Sequence, residues 1–240
     1  YFSDDLLHRI KSRVDCLTQH GLDKGRGDIL TKVMKEEDWA TSWKKYFKPF
    51  KAGERVVVKP TWEKYEAQDG DIVVEIDPGM AFGTGNHETT IMCIKLLEKY
   101  VEKQNYVYDV GCGSGILGIT AAKLGAEKVL CVDLDEVACK VADENVKINK
   151  ESHRIKVKKG NLLDIAAEKA DLIVANIIAD VIISFAHQAY VFLNPGGIFI
   201  SSGIILDRQE DVVNELKING FTILEIAQMG EWCAIVVKRD

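Results

Sequence analysis

The residues with the plainest chemical use lie at Asp109-Val-Gly-Cys-Gly-Ser-Gly115, where glycines at 111, 113 and 115 follow the short apolar run Tyr106 to Val110. Glycines there let the backbone approach a ligand closely, and the first N–H groups of a helix starting at that point are free to donate. Spacing alone leaves the ligand open, because Gly113-Ser-Gly-Ile-Leu-Gly118 also satisfies the G-x-G-x-x-G pattern of dinucleotide-binding units. Asp133 ends the run Val129-Leu-Cys-Val-Asp133, at a distance that suits either cofactor, and its carboxylate can accept hydrogen bonds from ribose hydroxyls. Asp109 separates the two readings. A carboxylate at the mouth of the loop would face the pyrophosphate of a dinucleotide, and at about 4 Å with an effective dielectric near 20 each pair of unit charges is worth about 4 kcal/mol. S-adenosylmethionine reverses the sign, since it carries an ammonium and a sulfonium and no phosphate. The expectation is S-adenosylmethionine held by Asp109, Gly111, Gly113, Gly115 and Asp133; the alternative for Asp109 is that it only caps the following turn.

Two further positions converge on the same chemistry. Phe82-Gly-Thr-Gly-Asn-His-Glu-Thr-Thr90 is a glycine-rich approach to a helix that can cover a bound cofactor, with Phe82, Thr84 and Thr90 as the candidate contacts. Thr89 or Thr90 as an ordinary N-cap, and His87 as a loop tie, remain open beside that reading. Asn176 ends the apolar run Asp171-Leu-Ile-Val-Ala-Asn176, at the carboxyl edge where open α/β sheets place their ligands. Its carbonyl can accept a hydrogen bond from an amine and aim that lone pair at a methyl group, so it is the candidate catalytic residue, a turn asparagine being the alternative. No Ser-His-Asp arrangement, P-loop or H-E-x-x-H helix accompanies these residues. The six cysteines form no C-x-x-C pair, so no metal site is expected, and buried reduced thiols are.

The elements that must position these groups alternate. The pattern predicts strands at 55–59 and 71–76, a helix at 91–101, then strand 106–110, helix 115–124, strand 128–133, helix 136–149, and strands 155–159 and 171–175. Helix 180–192, strand 197–202, helix 207–218 and the closing strands 221–228 and 232–238 complete the chain. That is an α/β fold of Rossmann-like type: a mostly parallel seven-stranded sheet ending in an antiparallel hairpin. Asp135 is expected to cap the helix that follows Asp133. Before the boundary, Leu6, Leu7, Ile10, Val14 and Leu17 recur at helical spacing up to Gly21, a short strand is predicted at 28–34, and a linking helix at 39–47. The expected division is therefore 1–37 as the remnant of a small N-terminal α+β domain, 38–54 as a linker, and 55–240 as the main domain.

The bulk composition excludes several partners. With 240 residues, 47% hydrophobic and 28% charged, the chain has the balance of a soluble globular protein, without an apolar run long enough to span a membrane. A net charge of −6 speaks against binding driven by a nucleic-acid backbone and suits a basic protein partner. A monomer in the cytoplasm is expected.

Taken together, Asp77-Pro-Gly-Met-Ala-Phe-Gly-Thr-Gly-Asn-His-Glu-Thr-Thr90, Asp109-Val-Gly-Cys-Gly-Ser-Gly-Ile-Leu117 and Val174-Ala-Asn-Ile-Ile178 resemble the ribosomal protein L-eleven methyltransferase family. The likeness runs from Glu37-Asp-Trp-Ala-Thr-Ser-Trp-Lys-Lys-Tyr-Phe-Lys-Pro49 to Glu231-Trp-Cys-Ala-Ile235, with Asn86 and Glu88 departing from the family's usual Thr and Pro. The paired-threonine loop is specific to that family, whereas the glycine loop is common to methyltransferases of the class. The resemblance implies transfer of methyl groups from S-adenosylmethionine to amino groups of the large-subunit ribosomal protein. It also implies cofactor contacts at Thr90, Gly111, Asp133 and Asn176, and acceptor capture by an N-terminal domain of ferredoxin-like type. Another protein or a small amine as acceptor, and a cofactor-binding module without activity, stand as the competing readings.

Overall fold

The computed structural model describes residues 4–29, 47–77 and 85–240. The chain divides into two compact units, 1–46 and 47–240, each described here by itself. In the first, helix α1 (Asp4–Cys16) carries Leu7 and Val14 half-buried on one side and continues as a 3-10 turn, Leu17–His20. Gly21, at φ 74°, ends that turn in the left-handed region, where glycine carries no Cβ penalty. Asp28 and Ile29 belong to no strand; residues 30–34 of the expected strand and 39–46 of the expected linking helix lie outside the described residues, and Phe47 is not helical.

The second unit is built on a seven-stranded sheet. Its strands are β4 (Tyr106–Val110), β5 (Lys128–Asp133), β6 (Ile155–Lys159), β7 (Ala170–Asn176), β8 (Leu193–Ile205), β9 (Phe221–Met229) and β10 (Trp232–Arg239), in the order β6-β5-β4-β7-β8-β10-β9. All neighbours from β6 to β8 run parallel, and β10 lies antiparallel between β8 and β9. Central strands of such a sheet are covered on both faces, which is why β4 and β7 read as nearly continuous apolar runs. Helices α2 (Glu88–Tyr100), α3 (Ile116–Leu124) and α4 (Glu136–Ile148) pack on one face, around Val107, Cys131 and Val174. Helices α5 (Ala179–Phe192) and α6 (Gln209–Ile218) pack on the other, around Tyr108, Ile173 and Phe199. Among the described residues no helix is long and apolar enough to cross a membrane. All six cysteines are free thiols; burial pushes Cys93 up to about 12 and Cys233 up to about 11.

The expected elements of this unit are present, with four local differences. Helix α2 begins three residues early, at Glu88, because His87 is its N-cap: the imidazole Nδ1 accepts the Thr89 N–H at 3.3 Å, leaving Thr89 and Thr90 buried inside the first turn. Strand β8 starts at Leu193, four residues before the expected 197, and an irregularity in its pairing with β7 between Ala170 and Leu172 absorbs the added residues. A 3-10 turn, Leu206–Arg208, precedes α6. The expected strands at 55–59 and 71–76 are present as β2 (Val56–Pro60) and β3 (Ile72–Ile76), but with the unexpected two-residue β1 (Phe50–Lys51) they form a separate three-stranded sheet.

Candidate functional site

The carboxyl ends of β4, β5, β6 and β7 surround a cavity of about 470 Å³. Gly111 and Gly113 form its floor, Asp133 and Leu134 one wall, Gly160 to Leu162 the next, and Asn176 to Ile178 with Val181 the opposite side. A larger hollow of about 550 Å³ lies between Gly53 and Lys99, but of its two carboxylates, Glu54 and Glu98, the latter is spent on the N–H groups of Glu54, Arg55 and Val56. The cavity at the glycine loop is therefore the candidate site.

Its floor depends on glycine chemistry. The Gly111 N–H donates to Val132 O at 2.8 Å and its φ is 70°; a Cβ there would lie 2.5 Å from Ile177 Cγ2, so any side chain would drive the loop off β7. Gly115 begins α3 as a left-handed N-cap, with a Cβ position 3.1 Å from Ala142 Cβ, and it packs against α4 rather than lining the cavity.

Asp133 stands where the sequence placed it, at the end of β5 beside the loop. Its Oδ2 accepts the Gly113 N–H at 2.9 Å and its Oδ1 accepts Asp135 N–H at 2.9 Å, which fixes the carboxylate while leaving further lone pairs open. Asp135 is the N-cap of α4, accepting Val137 N–H at 2.9 Å, as expected.

Asn176 and Thr90 meet. The Asn176 Nδ2 donates to Thr90 Oγ1 at 3.3 Å, joining the end of β7 to the first turn of α2 across 86 positions of sequence. With one N–H engaged, the amide is held by Thr90, and its carbonyl is available as an acceptor at the cavity wall. The hydroxyl of Thr90 is buried at 1% exposure, so it serves the cavity through Asn176. Phe82 and Thr84 lie outside the described residues.

Asp109 does not lie at the mouth of the loop. Strand alternation points it to the same face as Val107, under α3, where it is 1% exposed. Its Oδ2 accepts the Gly118 N–H at 2.8 Å and faces Cys131 Sγ at 3.9 Å, while Oδ1 has no hydrogen-bond partner. Burial pushes its carboxyl up to about 7, helped by the nearby Asp133 and opposed by the Gly118 N–H. The charge argument for the cofactor survives on a different residue: among the described residues the cavity is lined by one carboxylate, Asp133, and by no lysine or arginine. Such a donor set suits a cationic cofactor with ribose hydroxyls and gives a pyrophosphate no counter-charge.

Two groups of contributors escaped the sequence reading. Leu134, Gly160, Asn161 and Leu162 line the cavity from loops whose composition carries no motif, although Leu162, at φ 55°, marks an unusual backbone. Asn145, buried in α4, was missed as well; its spacing of four from Asn149, in a helix otherwise buried through Ala138, Ala142 and Val146, is the signal that pointed to it.

Comparison with known proteins places these features. A family model described as ribosomal protein L11 methyltransferase (PrmA) matches residues 2–240. The ribosomal protein L11 methyltransferase of Alkaliphilus oremlandii is 53% identical over 239 residues, spanning 98% of this chain and 76% of that protein. Its counterpart in Clostridium perfringens is 50% identical over 243 residues, spanning 99% of this chain and 77% of that protein. Among solved structures, the ribosomal protein L11 methylase of Lactobacillus delbrueckii subsp. bulgaricus superposes with a TM-score of 0.76 at 34% identity, covering 80% of this chain and 99% of that one.

Proposed function

The chain belongs to the ribosomal protein L11 methyltransferase family, and from that premise we propose that it transfers methyl groups from S-adenosylmethionine to amino groups of ribosomal protein L11. The observation that carries the reading is the pairing of Asn176 with Thr90 beside the glycine loop and Asp133. When bound, the cofactor supplies a methyl group already activated on a sulfonium. The protein's own work is orientation. Gly111 and Gly113 let the backbone close on the ligand, and the open lone pairs of Asp133 hold ribose hydroxyls. The carbonyl of Asn176 accepts an N–H of the incoming amine, so that the nitrogen lone pair faces the methyl, while Thr90 prevents the amide from rotating. Ile177 and the exposed Ile178 bound the approach with apolar surface.

In the same proposal residues 1–37 contribute to acceptor capture rather than to chemistry. The enzyme acts as a cytoplasmic monomer on the basic ribosomal protein without binding nucleic acid itself, in keeping with its net charge of −6. The test is incubation of the purified chain with S-adenosylmethionine labelled on the methyl group and purified ribosomal protein L11. Label in lysine or the terminal amine is the expected result. Tight cofactor binding with no label in that protein would overturn the acceptor, and label found instead in another component of a whole extract would replace it.

A further inference from the structure

Asn145 on α4 and Asn149, which caps the C-terminal end of that helix, are both buried and spend their carboxamides on the backbone at the end of β3; Asn149 also donates to the Asn145 carbonyl at 2.8 Å, and only Asn145 reaches the glycine loop. Asn149 accepts Glu75 N–H at 3.0 Å and donates to Glu75 O at 2.6 Å. Asn145 does the same for Asp77, accepting its N–H at 2.9 Å and donating to its carbonyl at 3.1 Å. Its second N–H donates to the carbonyl of Ser114, between Gly113 and Gly115, at 2.9 Å. Helix α4 touches the loop again three residues earlier, where Ala142 packs against Gly115. Its first turn is set by Asp135, two residues beyond the Asp133 that holds the Gly113 N–H. One helix therefore spans from the ribose-binding carboxylate to the back of the loop.

A side chain there for packing alone needs no polar atoms. Asn145 is fully buried at 0% exposure, and its three hydrogen bonds use both donors and the carbonyl acceptor. Only a short primary amide satisfies one backbone N–H and two backbone carbonyls from a single position. The three partners belong to segments 31 and 68 residues away, so the group ties together parts of the chain that are distant in sequence.

We propose that Asn145 is a positioning residue for the cofactor, holding the Ser114 carbonyl so that the glycine loop, with its Gly113 N–H on Asp133, keeps the shape that lines the cavity, and coupling that shape to the end of β3. Asn149, with the same backbone grip on β3 and no bond to the loop, is the built-in structural control. The inference rests on the reading that the glycine loop holds S-adenosylmethionine, and the experiment separates the two.

Asn145→Ala and Asn149→Ala are compared with the unmodified chain by two readouts. The first is hydrogen exchange of the ligand-free protein at the amides of Gly113 and Gly115, which donate to Asp133 Oδ2 and Cys112 O. The second is calorimetric affinity for S-adenosylhomocysteine. Asn145→Ala is expected to exchange these two amides faster and to bind about tenfold more weakly, the equivalent of one buried hydrogen bond. Asn149→Ala lowers the melting temperature with both readouts near those of the unmodified chain. Should Asn145→Ala fail to fold, Asn145→Ser, too short to reach Asp77 and Ser114 together, takes its place. Equal exchange and equal affinity in the two variants overturn the inference. If the unmodified chain itself fails to bind the ligand, the proposed function falls, and the exchange readout alone decides whether Asn145 positions the loop.

Discussion

At the level of single residues, the two groups that define the site differ in how their chemistry can be probed. Asn176 orients and neither stores nor moves charge, so its loss should appear in turnover rather than in cofactor binding. Asn176→Ala is expected to lower kcat by about a hundredfold, the scale of a misplaced reactant, with the S-adenosylhomocysteine affinity little changed. Thr90→Val, which removes only the hydroxyl that holds the amide, should lower kcat by about tenfold. Single-turnover rates beside calorimetry would show this, and an Asn176→Ala enzyme at full speed would remove it from the reaction. Asp109 answers to pH instead. Burial raises its carboxyl to about 7 from an ordinary 3.8, so between those values the folded protein keeps a proton that the unfolded chain has lost. Its contribution to stability is full below pH 4 and is lost as pH rises through 7, at up to about 1.4 kcal/mol per pH unit. The stability difference between the unmodified chain and Asp109→Asn, from urea melts at pH 5, 6, 7 and 8, should shift against the unmodified chain from pH 5 to 7 and level off by pH 8; a flat difference means that Asp109 is ionised throughout. Asp133 and Asn176 were legible because each ends an apolar strand, and a strand end fixes where a side chain emerges. The direction of Asp109 was not, since its partners Gly118 and Cys131 lie 9 and 22 positions away and only the pleat of β4 decides which face it takes.

Secondary-structure elements were read well where burial leaves a period. Strands β4, β5 and β6 match the expected 106–110, 128–133 and 155–159; in β4 and β5 the apolar content is set by the helices that cover them, and in the edge strand β6 by the alternation of Ile155 and Val157 with lysines. What period cannot carry is an element made by a distant partner. The short β1 exists because Val57 and Val58 offer it a ladder, and the turn before β2 exists because Glu98, on α2, accepts three backbone N–H groups at 2.7 to 2.8 Å. Gly53 leaves room for that carboxylate, as a Cβ there would stand 2.4 Å from it. Glu98→Ala should therefore lower stability by about 2 kcal/mol, the sum of modest charge-assisted bonds whose donors regain water in part. Gly53→Ala is expected to act in the same direction through displacement of the same side chain. Thermal melts check both, and an unchanged midpoint for Glu98→Ala would mean that the three N–H groups find equivalent partners in solvent.

For the molecule as a whole, the division of labour follows from where the cores lie. Among the described residues, both buried clusters are drawn from beyond Phe47 and no residue of 5–29 is buried, so the described core of the sheet and the described lining of the cavity belong to the unit 47–240. Folding and cofactor binding should then be separable from acceptor capture. A fragment comprising 47–240 is expected to unfold in one cooperative transition and to bind S-adenosylhomocysteine within about threefold of the full chain, a difference of well under 1 kcal/mol. Methylation of ribosomal protein L11 by the same fragment should show a raised KM with kcat preserved at saturating acceptor, because the groups that orient the amine, Asn176 and Thr90, both remain. The opposite split, an unchanged KM with a depressed kcat, would mean that the first 46 residues act on the chemical step and not on capture. The comparison discriminates because uniform binding and transition-state orientation enter different kinetic constants, and the geometry assigns each to a different part of the chain.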